Sequence, residues 1–259
     1  MQTPSLTFKS IRARSVVLKL KRPVVARIAT LTDWPMILID LTTQEGIVGR
    51  SYLEPYSIKA MRYLVPALHD FGEMLKGRRV APFELYDAAR KSLHFVGYEG
   101  MSMIAVSGLD MAAWDALAKA AGVPLCVLLG GSMGPVKSYN SNGLWLREPA
   151  AVAAEASELR DEGGFTGLKL RLGRERIRDD LTAIEAVRKA VGGDMHLMVD
   201  FNQGLNLGEA LERCHMIDGL GLDRRADCLR QLRRLRAACG RAENAASDRR
   251  ELLWPSRPP

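Results

Sequence analysis

Two pairs of polar side chains stand where apolar stretches end, and their types could do chemistry together. Lys169 and Arg171 flank Leu170 in "GLKLRLG", and Asp200 and Asn202 flank Phe201 in "MVDFNQG". If both stretches are strands, side chains alternate between faces, so each pair shares one face. Two cations beside a carboxylate suit the binding of an anionic substrate through a metal ion. The plainer alternative is that all four are ordinary strand-end polar residues facing solvent, and spacing alone does not choose between them. Other candidates read as structural. Cys126, Cys214, Cys228 and Cys239 show no CxxC or metal-type spacing, so they are expected to be free thiols. His94 and His196 read as ordinary structural or surface histidines.

The elements that must position these residues follow from periodicity. "SVVLKLKRPV" and "WPMILIDLTTQEGIVGRSYL" alternate, and the second reads as two strands around a "TTQEG" turn in which Gly46 can take positive φ. An antiparallel meander is the simplest arrangement. Helical spacing follows over roughly 57–75, 82–95 and 101–121, the last closed by Gly122 and Pro124. From Val136 the rhythm changes: "VKSYNSNG" reads as a short strand and "EPAAVAAEASELRDEG" as a helix. "GLKLRLG", "RERIRDDLTAIEAVRKAVG", "MHLMVDFNQ" and "LGEALERCHMID" then read as strand, helix, strand and helix. This βα alternation is the pattern of a parallel sheet or barrel. A complete eight-fold barrel needs about 250 residues, and only about 120 follow Val136. The expected fold class is therefore an α+β capping domain, antiparallel meander plus helices, followed by a partial, unclosed (β/α) TIM-type barrel of about three βα units. The expected domains are residues 1–135, residues 136–221 and a tail, 222–259. In a βα barrel the active site lies at the C-terminal ends of the strands, where Lys169, Arg171, Asp200 and Asn202 fall.

The formal net charge of +7 suggests an anionic partner until it is divided along the chain. Residues 222–259 hold ten Arg, no Lys and five acids, so most of the excess belongs to the tail. Nothing approaches 18 consecutive apolar residues, so no spanning helix is expected. The opening "MQTPSLTFKSIRARS" has no signal-peptide core, and a cytoplasmic location is expected.

"ILIDLTTQEGIVGRSYL", "SGLDMAAWDALAKAAGVPLCVLLGG", "GFTGLKLRLG" and "MVDFNQ", in that order, resemble the enolase superfamily, in particular its mandelate racemase branch. The resemblance runs from about residue 7 to residue 221. It implies Mg²⁺-assisted removal of the proton α to a carboxylate, in racemisation or dehydration of a 2-hydroxy acid or acid sugar. It also implies a small carboxylate as partner and a homo-oligomer for an intact member. By position, Asp200 matches the first metal ligand and Asn202 its neighbour. Lys169 matches the lysine that contacts the substrate carboxylate, and Ser141 a substrate-contacting serine. Arg171 stands where the proton-abstracting lysine would be, and this is a departure. A guanidinium stays protonated at all ordinary pH, which makes it a poor base and a good carboxylate clamp. Chemistry by a histidine on the opposite face, as in sugar-acid dehydratases, gains from that substitution. The segment "RPVVARIATLTDW" matches the family's lid loop, in which Arg27 either meets a polar substrate or points into water. "SYLEPY" matches a second capping segment.

The same resemblance requires "WIEEP" and "GEN" motifs for the remaining metal ligands, and neither is present. Leu222–Arg225 can be encoded CTG GAT CGA AGA; moved by one base, with GCC for Ala226, this reads W-I-E-E-P. Allowed codons for the rest of the tail, read in that frame, also yield G-E-N. Residues from about Gly221 onward are therefore expected to be a frameshift product, leaving one metal carboxylate of three and an inactive truncated chain. Two alternatives remain: "LRQLRRLRAACGR" as a basic arm that follows nucleic acid, and a non-catalytic, oligomerising capping-domain protein.

Overall fold

The computed structural model describes residues 5–218, 220 and 222. The chain divides into two compact units, one of residues 1–23 with 31–136, the other of residues 24–30 with 137 onward. The arginine-rich stretch and its expected frame change lie outside the described residues.

The first unit begins with strands β1 (Phe8–Ala26), β2 (Ala29–Thr43) and β3 (Val48–Leu53), in spatial order β1-β2-β3. Alternation decides which face of β2 is buried: Ile37, Ile39 and Leu41 point into the core, while Leu38 is exposed. β2 and β3 run antiparallel, from Ile37 opposite Leu53 to Leu41 opposite Gly49. Gly46 turns the chain at φ 86°, where the Thr43 amide donates to the Ile47 carbonyl at 2.9 Å. The expected lid loop, residues 22–34, is mostly strand. β1 and β2 run on through it and leave only Arg27 and Ile28 as a turn.

A 3-10 turn, Ile58–Ala60, leads into α1 (Met61–Leu75), followed by α2 (Pro82–Ser92), α3 (Met101–Ala120) and a single turn, α4 (Leu125–Leu128). Residues 93–95 had been expected to continue α2, and they do not. α3 is the central helix, and small residues let it approach the sheet closely. A β-carbon at Gly49 would lie 2.0 Å from the Ala112 carbonyl oxygen and 2.8 Å from the Ala116 β-carbon. One at Gly108 would lie 2.6 Å from Ile39. Side-chain bonds fix the register: the Ser51 hydroxyl donates to the Gly108 carbonyl at 2.6 Å, and the Arg50 amide to Asp115 at 2.6 Å.

In the second unit, α5 (Pro149–Asp161), β4 (Gly167–Arg171), α6 (Ile177–Val191), β5 (His196–Asp200) and α7 (Leu207–Ile217) alternate. β4 and β5 are parallel, with Lys169 beside Met198 and Arg171 beside Asp200. Leu168, Leu170 and Leu197 join Val152, Ala156, Leu159, Ile184 and Val187 in one apolar core. The strand expected in residues 136–143 is reduced to a single bridge, Asn140 to Leu168. Backbone bonds to β4 persist on both sides, Asn140 to Gly167 and Arg171 to Leu144, each 2.9 Å. Between them the Asn142 amide donates to Asn140 Oδ1 and the Lys169 carbonyl accepts from the Arg171 guanidinium, each at 3.0 Å, so the next rung of the ladder does not form. The same guanidinium donates to the Ser141 and Gly143 carbonyls at 2.9 and 3.0 Å.

Candidate functional site

The pleat does what the sequence pattern required. Leu168 and Leu170 enter the core, and Lys169 is left on the opposite face, beside the end of β5. The Lys169 ammonium lies 3.2 Å from Asp200 Oδ2, with the two side chains 21% and 31% exposed. A pair this accessible still meets solvent and can be entered by a ligand. Asp200 Oδ1 accepts from the Asn202 amide at 2.8 Å, which bends the chain just past the strand. Asn202 and Gln203 both take left-handed backbone, φ 48° and 59°. Asparagine tolerates that region better than most residues. Asn202 Oδ1 is buried and has no hydrogen-bond partner, an arrangement that costs free energy unless something donates to it or it meets a cation.

Arg171 is buried, at 4% exposure. Its Nη1 donates to three carbonyls, those of Ser141, Gly143 and Lys169, and its guanidinium carbon lies 4.1 Å from the Trp145 ring centroid. Its Nε has no partner. Burial pulls the guanidinium pKa below its ordinary value, opposed by the charges of Asp200 and Tyr139. Ser141 takes part through its carbonyl oxygen. The structure thus brings Lys169, Arg171, Asp200, Asn202 and Ser141 to one end of β4 and β5. His196 begins β5 at the other end, and His94 lies in the first unit, edge-on to Phe95.

Periodicity gave no sign of the groups that hold this end in shape. Asp180, 1% exposed in the first turn of α6, accepts from the amides of Gly173 and Arg174 and pairs with Arg174 at 3.1 Å and Arg213 at 2.7 Å. An acid in a first helical turn is common for reasons of the helix dipole, so only its burial marks it as special. Beside it, residues 146–149, 173–176 and Asp179 line a cleft of about 410 Å³. Arg27, expected either to meet substrate or to point into water, instead pairs with Glu209 at 2.7 Å.

Mg²⁺ asks for six oxygens in near-octahedral array, with carboxylates among them. Asp200 is a single carboxylate, already paired with Lys169, and Asn202 adds one unpartnered oxygen. Among the described residues no group of three His, Cys, Asp or Glu side chains is placed to hold a metal. These residues alone therefore do not make a Mg²⁺ site.

Residues 9–130 match the model of the mandelate racemase / muconate lactonizing enzyme N-terminal domain, and residues 151–240 that of an enolase C-terminal domain-like family. Arabinonate dehydratase of Saccharolobus solfataricus is 32% identical over 206 residues, 74% of this chain and 52% of its own length. L-talarate/galactarate dehydratase of Salmonella typhimurium is 36% identical over 128 residues, 47% of this chain and 32% of its own. Among solved structures, an enolase from alpha pretobacterium bal199 with bound Mg is 64% identical, with a TM-score of 0.81 over 84% of this chain and 61% of that one. An enolase from Bradyrhizobium, complexed with magnesium and mandelic acid, is 34% identical, with a TM-score of 0.77 over 85% and 61%. The chain thus spans about half or less of these curated relatives, 52% and 32%, and 61% of each solved chain.

Proposed function

Because this chain belongs to the mandelate racemase / muconate lactonizing enzyme family of the enolase superfamily, we propose that it carries the first part of an enzyme that removes the proton α to a carboxylate. The substrate is a small 2-hydroxy acid or acid sugar, and the outcome is racemisation or dehydration. The observation that carries this reading is the Lys169–Asp200 pair, 3.2 Å apart on neighbouring parallel strands at their C-terminal ends. An α-proton of a carboxylate is very weakly acidic, so charge that stabilises the developing anion decides the rate. Lys169 binds the substrate carboxylate, and Asp200 and Asn202 contribute to the metal side of the site. Arg171 is a fixed cation beside them and not the base, because a guanidinium keeps its proton. Mg²⁺ belongs to the intact enzyme. Relatives that support the reading are dehydratases, and a neighbour holds magnesium with mandelic acid.

The same proposal takes residues 222–259 as an out-of-frame reading, supported by the two metal-ligand motifs that allowed codons, shifted by one base, can spell. Against it, the second family model matches as far as residue 240 in the frame as written; the DNA sequence from about residue 215 onward decides the point. As written, the chain is expected to show no turnover. The test is exchange of the α-proton in D₂O, followed by NMR, on mandelate, galactarate and arabinonate with Mg²⁺. The 259-residue chain should leave the proton in place, and a frame-restored chain should wash it out. Turnover by the former would sink the inactivity, and silence of the latter on every acid would sink the reaction class.

A further inference from the structure

The β1–β2 turn is held down at three points, all within the second unit. Arg27 Nη2 lies 2.7 Å from Glu209 Oε1. The Leu146 amide donates to the Val25 carbonyl at 2.9 Å. Between these points the aliphatic stem of Arg27 lies along two glycines. A β-carbon at Gly204 would come within 3.0 Å of Arg27 Cβ and 3.3 Å of its Cδ; one at Gly173 would come within 3.6 and 3.7 Å. Gly173 follows β4 by two residues and Gly204 follows β5 by four, so the stem rests on both loops that leave the strands carrying Lys169 and Asp200.

Glu209 is well placed to hold such a stem. Its Oε2 accepts from the Asn206 amide at 3.1 Å, while its own amide donates to Asn206 Oδ1 at 3.0 Å. This reciprocal capping box fixes the carboxylate at the start of α7. Oε1 is left for Arg27. The Arg27 guanidinium, and then the Asn206 amide, hold the Glu209 carboxyl below the usual carboxylate range. The two side chains are 34% and 31% exposed, within reach of salt.

We infer that Arg27 is a positioning residue that latches residues 24–30 onto the loops leaving β4 and β5, through Glu209 and a socket formed by Gly173 and Gly204. While latched, Arg27 is not available to a substrate. This inference is independent of the reaction proposed above, because the latch exists whether or not the site turns over.

Amide hydrogen exchange of residues 24–30 in the full 259-residue chain tests it, with Val48–Leu53 as the internal reference. Arg27→Ala and Glu209→Gln should each speed exchange at the turn about 1.5- to fivefold, the range expected for a partly exposed ion pair, and leave the reference unchanged. Glutamine keeps the capping box, so that variant removes the charge alone. Arg27→Lys should stay near the unmodified chain. Gly204→Ala should speed the turn without touching any charge. Raising salt from 0.05 to 1 M, which shortens the screening length to about 3 Å, should speed exchange in the unmodified chain and not in Arg27→Ala. Unchanged exchange in both Arg27→Ala and Glu209→Gln would overturn the latch. An equal rise in Arg27→Lys and Arg27→Ala would overturn the charge's part in it.

Discussion

Arg171 is a cation held almost entirely by structural demands. One nitrogen serves three carbonyls, the ring of Trp145 covers the guanidinium carbon, and the side chain is almost wholly buried. A buried acceptor that loses its donor costs about 1–3 kcal/mol. Arg171→Met keeps the length of the stem and leaves the Ser141, Gly143 and Lys169 carbonyls without this donor. We expect it to lower the unfolding free energy by about 3 kcal/mol or more in urea titration. A loss below about 1 kcal/mol would show that other donors or water replace it. The residue type and spacing of Lys169, Arg171, Asp200 and Asn202 were legible in the sequence, because strand alternation places side chains with little freedom. What Arg171 touches was not legible. Two of its three partners are main-chain carbonyls 30 and 28 residues away, and a carbonyl carries no signature in the amino-acid code.

At the scale of elements, helices and strands emerged largely where apolar spacing put them, since burying one face is the dominant gain for an amphipathic segment. The misses have local causes. Residues 136–143 make one bridge instead of a strand: the Asn142 amide donates to Asn140 Oδ1, and the Lys169 carbonyl that the next rung would use accepts from the Arg171 guanidinium. The expected lid loop is strand because β1 and β2 continue to within two residues of each other. α3 packs closely against β3, and Gly49 is the narrow point of that contact. Gly49→Ala would place a methyl group 2.0 Å from the Ala112 carbonyl oxygen. Helix and strand must then separate, at a cost of about 1–3 kcal/mol or more, as for other overpacked cores. Gly46→Ala meets no atom within 4 Å and brings only the strain of a side chain at φ 86°, about 1–2 kcal/mol, so it should cost less. Urea midpoints of the two variants compare them directly, and equal losses would contradict the close packing.

For the molecule as a whole, a ligand that binds only the folded state raises its melting temperature. The described residues offer Mg²⁺ one lysine-paired carboxylate and one amide oxygen. Adding 10 mM Mg²⁺ should therefore leave the melting of the 259-residue chain unmoved and raise that of a frame-restored chain. A rise of about 2 °C or more in the former, on the order of a kcal/mol for a chain of this size, would mean that it holds a further metal site. No helix among the described residues is long and apolar enough to cross a membrane. The pairing of Arg27 with Glu209 also has a consequence in time. The two residues are 182 positions apart, and a ribosome adding 5–20 residues per second needs about 10–40 s to make the second after the first. The tip of the first hairpin must therefore wait, unanchored by this pair, until α7 has been synthesised.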